Sequence, residues 1–171
     1  MNRILVIGVG SGAGKSTFAR RLGKLTGIEV THLDRLFWKP GWVESSVEEF
    51  TEAQQQVILN DTWIIEGNYT GTIDIRESYA DTVIYLELPL HVCLFRVLKR
   101  RVQYHGKIRD DVGEGCEEKI DMAFLKFILT TYKPRKNKMK VRMQRYANEG
   151  KTVYYLKTRQ QIEGFLTNFN L

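Results

Sequence analysis

Cysteine, proline and histidine are scarce in this chain, and long apolar runs are missing altogether. Its two cysteines, Cys93 and Cys116, are far apart and form no C-x-x-C pair. A disulfide scaffold and a zinc cluster are therefore excluded, and free thiols in a reducing compartment are expected. The three prolines and the even spread of residue types leave no low-complexity stretch, internal repeat or interdomain linker. No apolar run approaches the roughly 20 residues that span a bilayer. Met1–Ile7 is too short for a signal peptide, so the expected location is cytoplasmic. No nucleophile-elbow motif and no plausible Cys/His pair is present; His105 and Cys116 read as ordinary surface or loop residues.

What remains is ordinary globular material. With 171 residues, 43% hydrophobic and 27% charged, the chain has the length of one domain that buries about 70% of its unfolded surface without metal or disulfide. Its net charge of +6 is uneven: residues 96–145 hold fifteen Lys and Arg against six Asp and Glu, whereas the rest of the chain is net acidic. Such a field suits a polyanion, either phosphates gathered into one pocket or a nucleic-acid backbone along a face.

Ile4-Leu5-Val6-Ile7 is a continuous apolar run ending in glycine, the pattern of a strand buried on both faces of a parallel sheet. Similar runs recur at 28–33, 63–66, 82–88 and 152–156, alternating with helical patterns at 15–25, 47–60, 90–104, 117–132, 135–148 and 159–168. Alternation of this kind implies right-handed βαβ units. Ser46 with Glu49 fits a capping box, Pro89 fits a first helical turn, and Pro134 is expected to separate two helices.

The most specific motif is Gly8-Val9-Gly10-Ser11-Gly12-Ala13-Gly14-Lys15-Ser16-Thr17, directly after the first strand and opening the first helix. That context is what a phosphate loop requires. Its glycines let successive amides curl around phosphate oxygens, Lys15 reaches the β- and γ-phosphates, and Ser16 offers a hydroxyl to Mg²⁺. Gly10, Ser11, Gly12, Ala13, Gly14, Lys15, Ser16 and Thr17 are thus the candidate nucleotide-binding residues. One departure exists: where the strict pattern has its first glycine, this chain has Val9.

With this loop, the segment His32–Trp42, the stretch Trp63-Ile64-Ile65-Glu66-Gly67-Asn68-Tyr69 and the run Arg96–Arg101, the chain resembles the bacterial DNA topology modulation protein family, a relative of adenylate kinases. The resemblance runs over nearly the whole chain. It implies an α/β, three-layer P-loop fold of nucleoside-monophosphate-kinase type: a five-stranded parallel sheet in order 2-3-1-4-5, helices on both faces and a small lid. It further implies a single domain over 1–171, with 34–60 covering the acceptor and 101–134 forming the lid.

Several residues acquire candidate roles. Asp34 follows the second strand at its carboxyl end, where ligands of open α/β sheets bind; it either orients an acceptor hydroxyl or caps the turn into Arg35–Trp38. Glu66-Gly67 resembles the Asp-Gly pair of adenylate kinases, so Glu66 is a candidate to support Mg²⁺ through water, with Glu87 as a competitor. His32 reads as a packed histidine. Arg96 and Arg100 resemble the R-x-x-x-R with which adenylate kinases enter their lid. Leu90, Leu94, Leu98 and Val102 form an apolar row out of phase with them, so the two arginines are expected to face away from the core. Arg101 and Arg109 are weaker candidates. The stretch 133–145 carries seven basic residues in thirteen and no acid; it is either a solvated face, including Lys136, Lys138 and Lys140, or a contact for DNA, or it sends Arg135 or Arg142 into the site. Trp38 and Trp42 either stack on a ring of the acceptor or pack a small subdomain.

Together these features point to an ATP·Mg²⁺-dependent phosphotransferase acting on a small molecule, with Lys15, Asp34, Arg96 and Arg100 as catalytic residues, Ser16 and Glu66 serving the metal, and Thr17 near the α-phosphate. The alternatives are a nucleic-acid-associated ATPase and a nucleotide-binding module without catalysis.

Overall fold

The computed structural model describes residues 1–106, 108–118 and 120–169. Along the chain the elements are β1 (Arg3–Gly8), α1 (Lys15–Thr26), β2 (Val30–His32), α2 (Leu33–Phe37), β3 (Trp38–Lys39), β4 (Val43–Glu44), α3 (Val47–Ile58), β5 (Trp63–Glu66), α4 (Ile73–Glu77), β6 (Thr82–Leu86), α5 (Leu90–Gln103), α6 (Met122–Asn148), β7 (Thr152–Leu156) and α7 (Arg159–Thr167). β3 and β4 pair as a small antiparallel hairpin. The other five strands form one parallel sheet in the order β2-β5-β1-β6-β7. Counted as sheet strands, that is the expected 2-3-1-4-5. The chain runs outward from β1 to β2 and then back across to β6, so right-handed crossovers put helices on both faces.

This layering explains why the strands do not alternate. Ile4, Leu5, Val6 and Ile7 are all fully buried, as are Ile64, Ile65, Val83 and Ile84. Each such side chain contributes roughly 1.5–3 kcal/mol when removed from water. Because all five strands are parallel, their carboxyl ends share one edge of the sheet. The register sets Glu66 beside Val6 on one flank and His32 on the other, so three loops with chemically useful residues emerge side by side.

The structure corrects two expectations about helices. The predicted break at Pro134 is absent: α6 runs continuously through it for 27 residues. Proline at 134 removes the bond to the carbonyl of Thr130, but both residues are exposed, so that carbonyl is left to solvent rather than stranded in the core. The apolar row Leu90–Val102 is not the buried face of α5 either. Leu98 and Val102 are exposed, while Cys93 and Val97 are buried, which turns Arg96 and Arg100 toward the interior cavity instead of away from it. Among the described residues, no helix is long and apolar enough to cross a membrane. Both cysteines are free and buried.

Since α6 tolerates Pro134 only through the solvent exposure of one carbonyl, Pro134→Ala is expected to raise stability by about 1–3 kcal/mol. Thermal and denaturant unfolding followed by circular dichroism check this; an unchanged or lower midpoint refutes it.

Candidate active site

The phosphate loop is held open by its neighbours. Val9, at the place of the missing glycine, is fully buried and its amide donates to the Leu86 carbonyl at 2.9 Å, so the strand end rather than a glycine turn fixes the start of the loop. The sharp turns come at Gly12 and Gly14, with φ of 80° and 88°. A Cβ at Gly12 would lie 2.2 Å from the Cys93 carbonyl oxygen, and one at Gly14 would lie 2.7 Å from the Arg96 guanidinium. α5 therefore packs directly on the loop backbone. Gly14 caps α1 without any side-chain hydrogen bond, which leaves the first-turn amides and the positive end of the helix dipole available to an anion. Lys15 Nζ reaches back to the Gly10 carbonyl at 3.2 Å.

An acidic corner faces the loop. The Glu66 carboxylate accepts from His32 Nδ1 at 2.8 Å and lies 3.9 Å from Lys15 Nζ. His32 thus orients Glu66 and, since both are buried, is the packed residue expected. Asp34 accepts a hydrogen bond from the Tyr69 hydroxyl at 2.7 Å. Desolvation and the nearby Glu66 charge push the Asp34 carboxyl above its usual range, against the pull of Tyr69, Lys15 and Arg109.

The loop bearing Asn68 and Tyr69 is fixed from below by Arg76, which is fully buried. Its guanidinium donates to the carbonyls of Asn68 at 2.8 Å and Tyr69 at 3.3 Å, and to Gln54 Oε1 at 2.7 Å. Burial lowers the Arg76 pKa to about 10. Asn68 Oδ1 in turn accepts from the Gly8 amide at 3.0 Å.

Two segments close over this floor and join each other. The strap, described at 108–118, meets the β3–β4 hairpin where Trp42 Nε1 donates to the Glu117 carbonyl at 2.7 Å and Gly41 N to the Gly115 carbonyl at 3.2 Å. A Cβ at Gly113 would be 2.0 Å from the Trp38 carbonyl oxygen. Inside the strap, Glu118 pairs with Arg100 at 2.8 Å and Arg109 at 2.9 Å, and Arg109 lies 3.5 Å from Asp111. Burial and the like charge of Arg109 depress the Arg100 pKa against the pull of Glu118. Burial would raise the Asp111 carboxyl, yet Arg109, the Ser16 hydroxyl and His32 hold it below its ordinary value.

These parts enclose a cavity of about 940 Å³. Ser11–Thr17, Asp34, Glu66, Arg96, Arg100 and Arg109 all line it, whereas Gly10 is not among the lining residues and its carbonyl accepts from Lys15. Trp38 lines it too, while its edge-on packing with Trp42 and Phe37 builds the hairpin. Glu87 does not reach the cavity. It is tied to the Tyr155 hydroxyl and to Lys136 at 3.1 Å, which removes it as a rival to Glu66. Arg101 donates to the Glu118 carbonyl at 2.8 Å. The 133–145 stretch is divided: Arg135 and Lys138 line the cavity, Lys136 and Arg145 are spent on Glu87 and Glu77, and Met139 and Met143 are buried. Asn68, Tyr69, Arg76, Asp111 and Glu118 received no role from the sequence, because the contacts that give them meaning reach across other elements, up to 95 positions in the case of Asp111 and Ser16.

The Ser16 hydroxyl with the carboxylates of Glu66 and Asp111 is a hard-oxygen donor set of the kind Mg²⁺ takes. Among the described residues no three His, Cys, Asp or Glu converge as a protein-only metal cage; Mg²⁺ on a nucleotide needs none, since water and phosphate oxygens supply most of its ligands.

No family model matches the chain. Among curated proteins it is similar to the uncharacterized protein YqaC of Bacillus subtilis (strain 168), with 30% identity over 100 residues that cover 56% of this chain and 55% of that protein. The matched region thus spans about half of the curated relative's length. Among solved structures it is similar to an unliganded sugar kinase from Janibacter sp. HTCC2649, with 17% identity, coverage of 98% of this chain and 94% of that one, and a TM-score of 0.52. It is likewise similar to the shikimate kinase of Acinetobacter baumannii in complex with shikimate, with 15% identity, coverage of 99% and 91%, and a TM-score of 0.55. The fold is that of P-loop kinases.

The raised carboxyl of Asp34 has a thermodynamic signature. Because the folded state holds this proton more tightly, ionisation of Asp34 costs stability once the pH exceeds its folded pKa. Asp34→Asn is therefore expected to raise the melting temperature at pH 7, with the gain shrinking as the pH falls through the raised folded pKa and gone below about pH 3, where the carboxyl is protonated in both states. Melting curves of both proteins against pH check the sign. A second expectation concerns closure: Gly113→Ala forces the strap off the hairpin and is expected to expose residues 108–118 to limited proteolysis at least about tenfold faster, while leaving the melting of the sheet nearly unchanged. Equal cleavage rates refute it.

Proposed function

We propose that the protein is an ATP·Mg²⁺-dependent phosphotransferase, one P-loop kinase-like domain over 1–171, that moves the γ-phosphoryl group of ATP to a hydroxyl of a small-molecule acceptor. One observation carries this reading: the uncapped helix N-terminus with Lys15 and Ser16 shares a cavity with a desolvated carboxylate, Asp34, braced by Tyr69. The first is suited to a triphosphate and the second to a hydroxyl.

The loop amides, Lys15 and Thr17 would hold the donor phosphates, and Ser16 would hold Mg²⁺ with Glu66 acting through water. The bound metal supplies neutralisation of charge on the phosphoryl group. Asp34 takes the acceptor proton as the new O–P bond forms; the β–γ bridge breaks and ADP leaves with its electron pair. Burial makes Asp34 a stronger base than a solvated carboxylate. Arg96, packed on Gly14, and Arg100 steady charge at the transferring group. Segment 34–60 covers the acceptor and segment 101–134 serves as lid, so that water is kept from competing with the acceptor.

The kinase names of the two similar structures are in keeping with this chemistry. The resemblance to the DNA topology modulation family supports the same phosphate loop. The disposition of 133–145 favours a kinase over a nucleic-acid-associated ATPase: more than half of its charges are spent on carboxylates or turned into the cavity rather than arrayed on an outer face.

The test is ADP formation from ATP·Mg²⁺ with and without pooled acceptors, with Lys15→Ala as the blank. Stimulation by one pool, absent from the blank, is expected; turnover indifferent to every acceptor refutes the reading. With the acceptor found, Asp34→Asn is expected to lower kcat by about 10²–10⁴-fold. The wild-type kcat is expected to fall on the acid side with an apparent pKa above the usual Asp value of about 3.9, and this limb is expected to be lost in the variant.

A further inference from the structure

Glu66 is the acid that the sheet offers to a metal, but its carboxylate is already engaged, with His32 Nδ1 at 2.8 Å and Lys15 Nζ at 3.9 Å. The carboxylate that takes the hydrogen bond of the Ser16 hydroxyl is Asp111. Asp111 belongs neither to the sheet nor to the phosphate loop. It stands on the strap, is only 6% exposed, and lines the same cavity as Lys15, Ser16 and Glu66.

Contacts on both sides of it put it there. A turn closed by the Val112 amide on the Arg109 carbonyl at 3.3 Å brings the Arg109 guanidinium to 3.5 Å from the Asp111 carboxylate. The preceding residue, Asp110, lies 3.8 Å from Arg20, one turn beyond Ser16 along α1. Two residues after Asp111, the bare backbone of Gly113 rests on the Trp38 carbonyl. The strap is thus pinned to α1 before Asp111 and to the hairpin after it. A buried carboxylate is unfavourable unless it is paired; this one sits between Arg109 and the hydroxyl of the metal-ligand serine.

That place has a chemical meaning. A serine hydroxyl ligates a metal through an oxygen lone pair and keeps its proton. A carboxylate that accepts this proton fixes the direction of the lone pair and adds negative charge to the outer shell of the metal, reaching it through bound water. In many P-loop enzymes an aspartate holds the metal together with the loop serine or threonine. Here a second acid comes from the strap.

Building on the phosphotransferase reading, we propose that Asp111 is a positioning residue for the Mg²⁺ of the donor nucleotide, supplied by the strap, so that the metal site is complete only when the strap is closed. Opening the strap to admit ATP·Mg²⁺ withdraws the acid, and closing returns it to Ser16. Closure and metal support become one event, so the donor phosphates reach their reactive setting only under cover from water. Without the metal the same carboxylate faces the donor phosphates as a like charge and opposes closure. The sign of its effect on nucleotide binding therefore depends on Mg²⁺.

The experiment measures binding of a non-hydrolysable ATP analogue to the full chain by calorimetry, in excess Mg²⁺ and again in EDTA. Mg²⁺ is expected to tighten wild-type binding at least about tenfold, and Asp111→Asn to lose most of that gain, as outer-shell partners of a metal commonly cost 10–100-fold when removed. In EDTA the variant is expected to bind as tightly as the wild type or more so. Limited proteolysis gives an independent reading: the analogue with Mg²⁺ is expected to protect the wild-type strap better than the analogue in EDTA, and the two conditions to be equal in Asp111→Asn. Gly113→Ala, which displaces the strap with Asp111 intact, is expected to lose the gain as well. Either variant keeping the full gain overturns the inference, as does wild-type binding that Mg²⁺ does not tighten. So does a loss in Asp111→Asn that is equal with and without Mg²⁺, which is what a merely structural role gives. Each of these leaves the phosphotransferase reading to the acceptor assay, whereas a wild type that binds the analogue under neither condition overturns both.

Discussion

A single buried cation organises the acceptor half of the site. Arg76 has no access to solvent, and burial of a guanidinium is unfavourable unless its donors are used. Its two terminal nitrogens are used on the turn after β5, whose carbonyls converge on them, and on Gln54 from α3, while Nε has no partner. That turn carries Asn68 to the start of the phosphate loop and Tyr69 to Asp34. Two ends of the cavity, one for phosphate and one for hydroxyl, are therefore referenced to the same buried group. The aromatic cluster of Phe37, Phe50 and Tyr69, with ring centroids 4.9–5.1 Å apart, packs this arrangement from the side.

Above that floor, the covering parts are joined by backbone contacts and charges rather than by an apolar core. The strap touches the hairpin through carbonyls, an indole N–H and the bare backbone of Gly113. Its interior is a chain of alternating charges, Arg100, Glu118, Arg109 and Asp111, which ends at the Ser16 hydroxyl. Such a cover separates at less cost than a hydrophobic one, because each group finds water on opening, while in the closed state each has a partner of opposite sign.

Much of this was legible in the sequence, and the parts that were not share a reason. The parallel sheet and the phosphate loop are written in local patterns, namely apolar runs of strand length, glycines next to lysine and serine, and the alternation of strands with helices, whereas the strand order was implied by the family resemblance. Asp34 could be named from its place at the end of a strand, and Glu66, Arg96 and Arg100 from the resemblance of their motifs to those of adenylate kinases. Arg76, Asn68, Asp111 and Glu118 could not, since what makes them matter is the meeting of segments far apart along the chain. The two helix errors have the same root. Pro134 breaks a helix only where the freed carbonyl is starved of partners, and the inward face of α5 is set by a cavity whose wall needs arginine rather than leucine. Neither solvent exposure nor the place of a cavity is written in periodicity.

At Val9 a motif position is released from its usual task. Its side chain belongs to the core and its amide to the end of β6, so substitution there is governed by volume and hydrophobicity, as at any buried strand terminus, and not by nucleotide contact. Isoleucine or cysteine would be tolerated where aspartate would not. In this phosphate loop the glycines at the lysine end are constrained by backbone angle, whereas the first motif position is constrained by what the preceding strand packs against. A search that demands glycine at both ends passes over chains built this way.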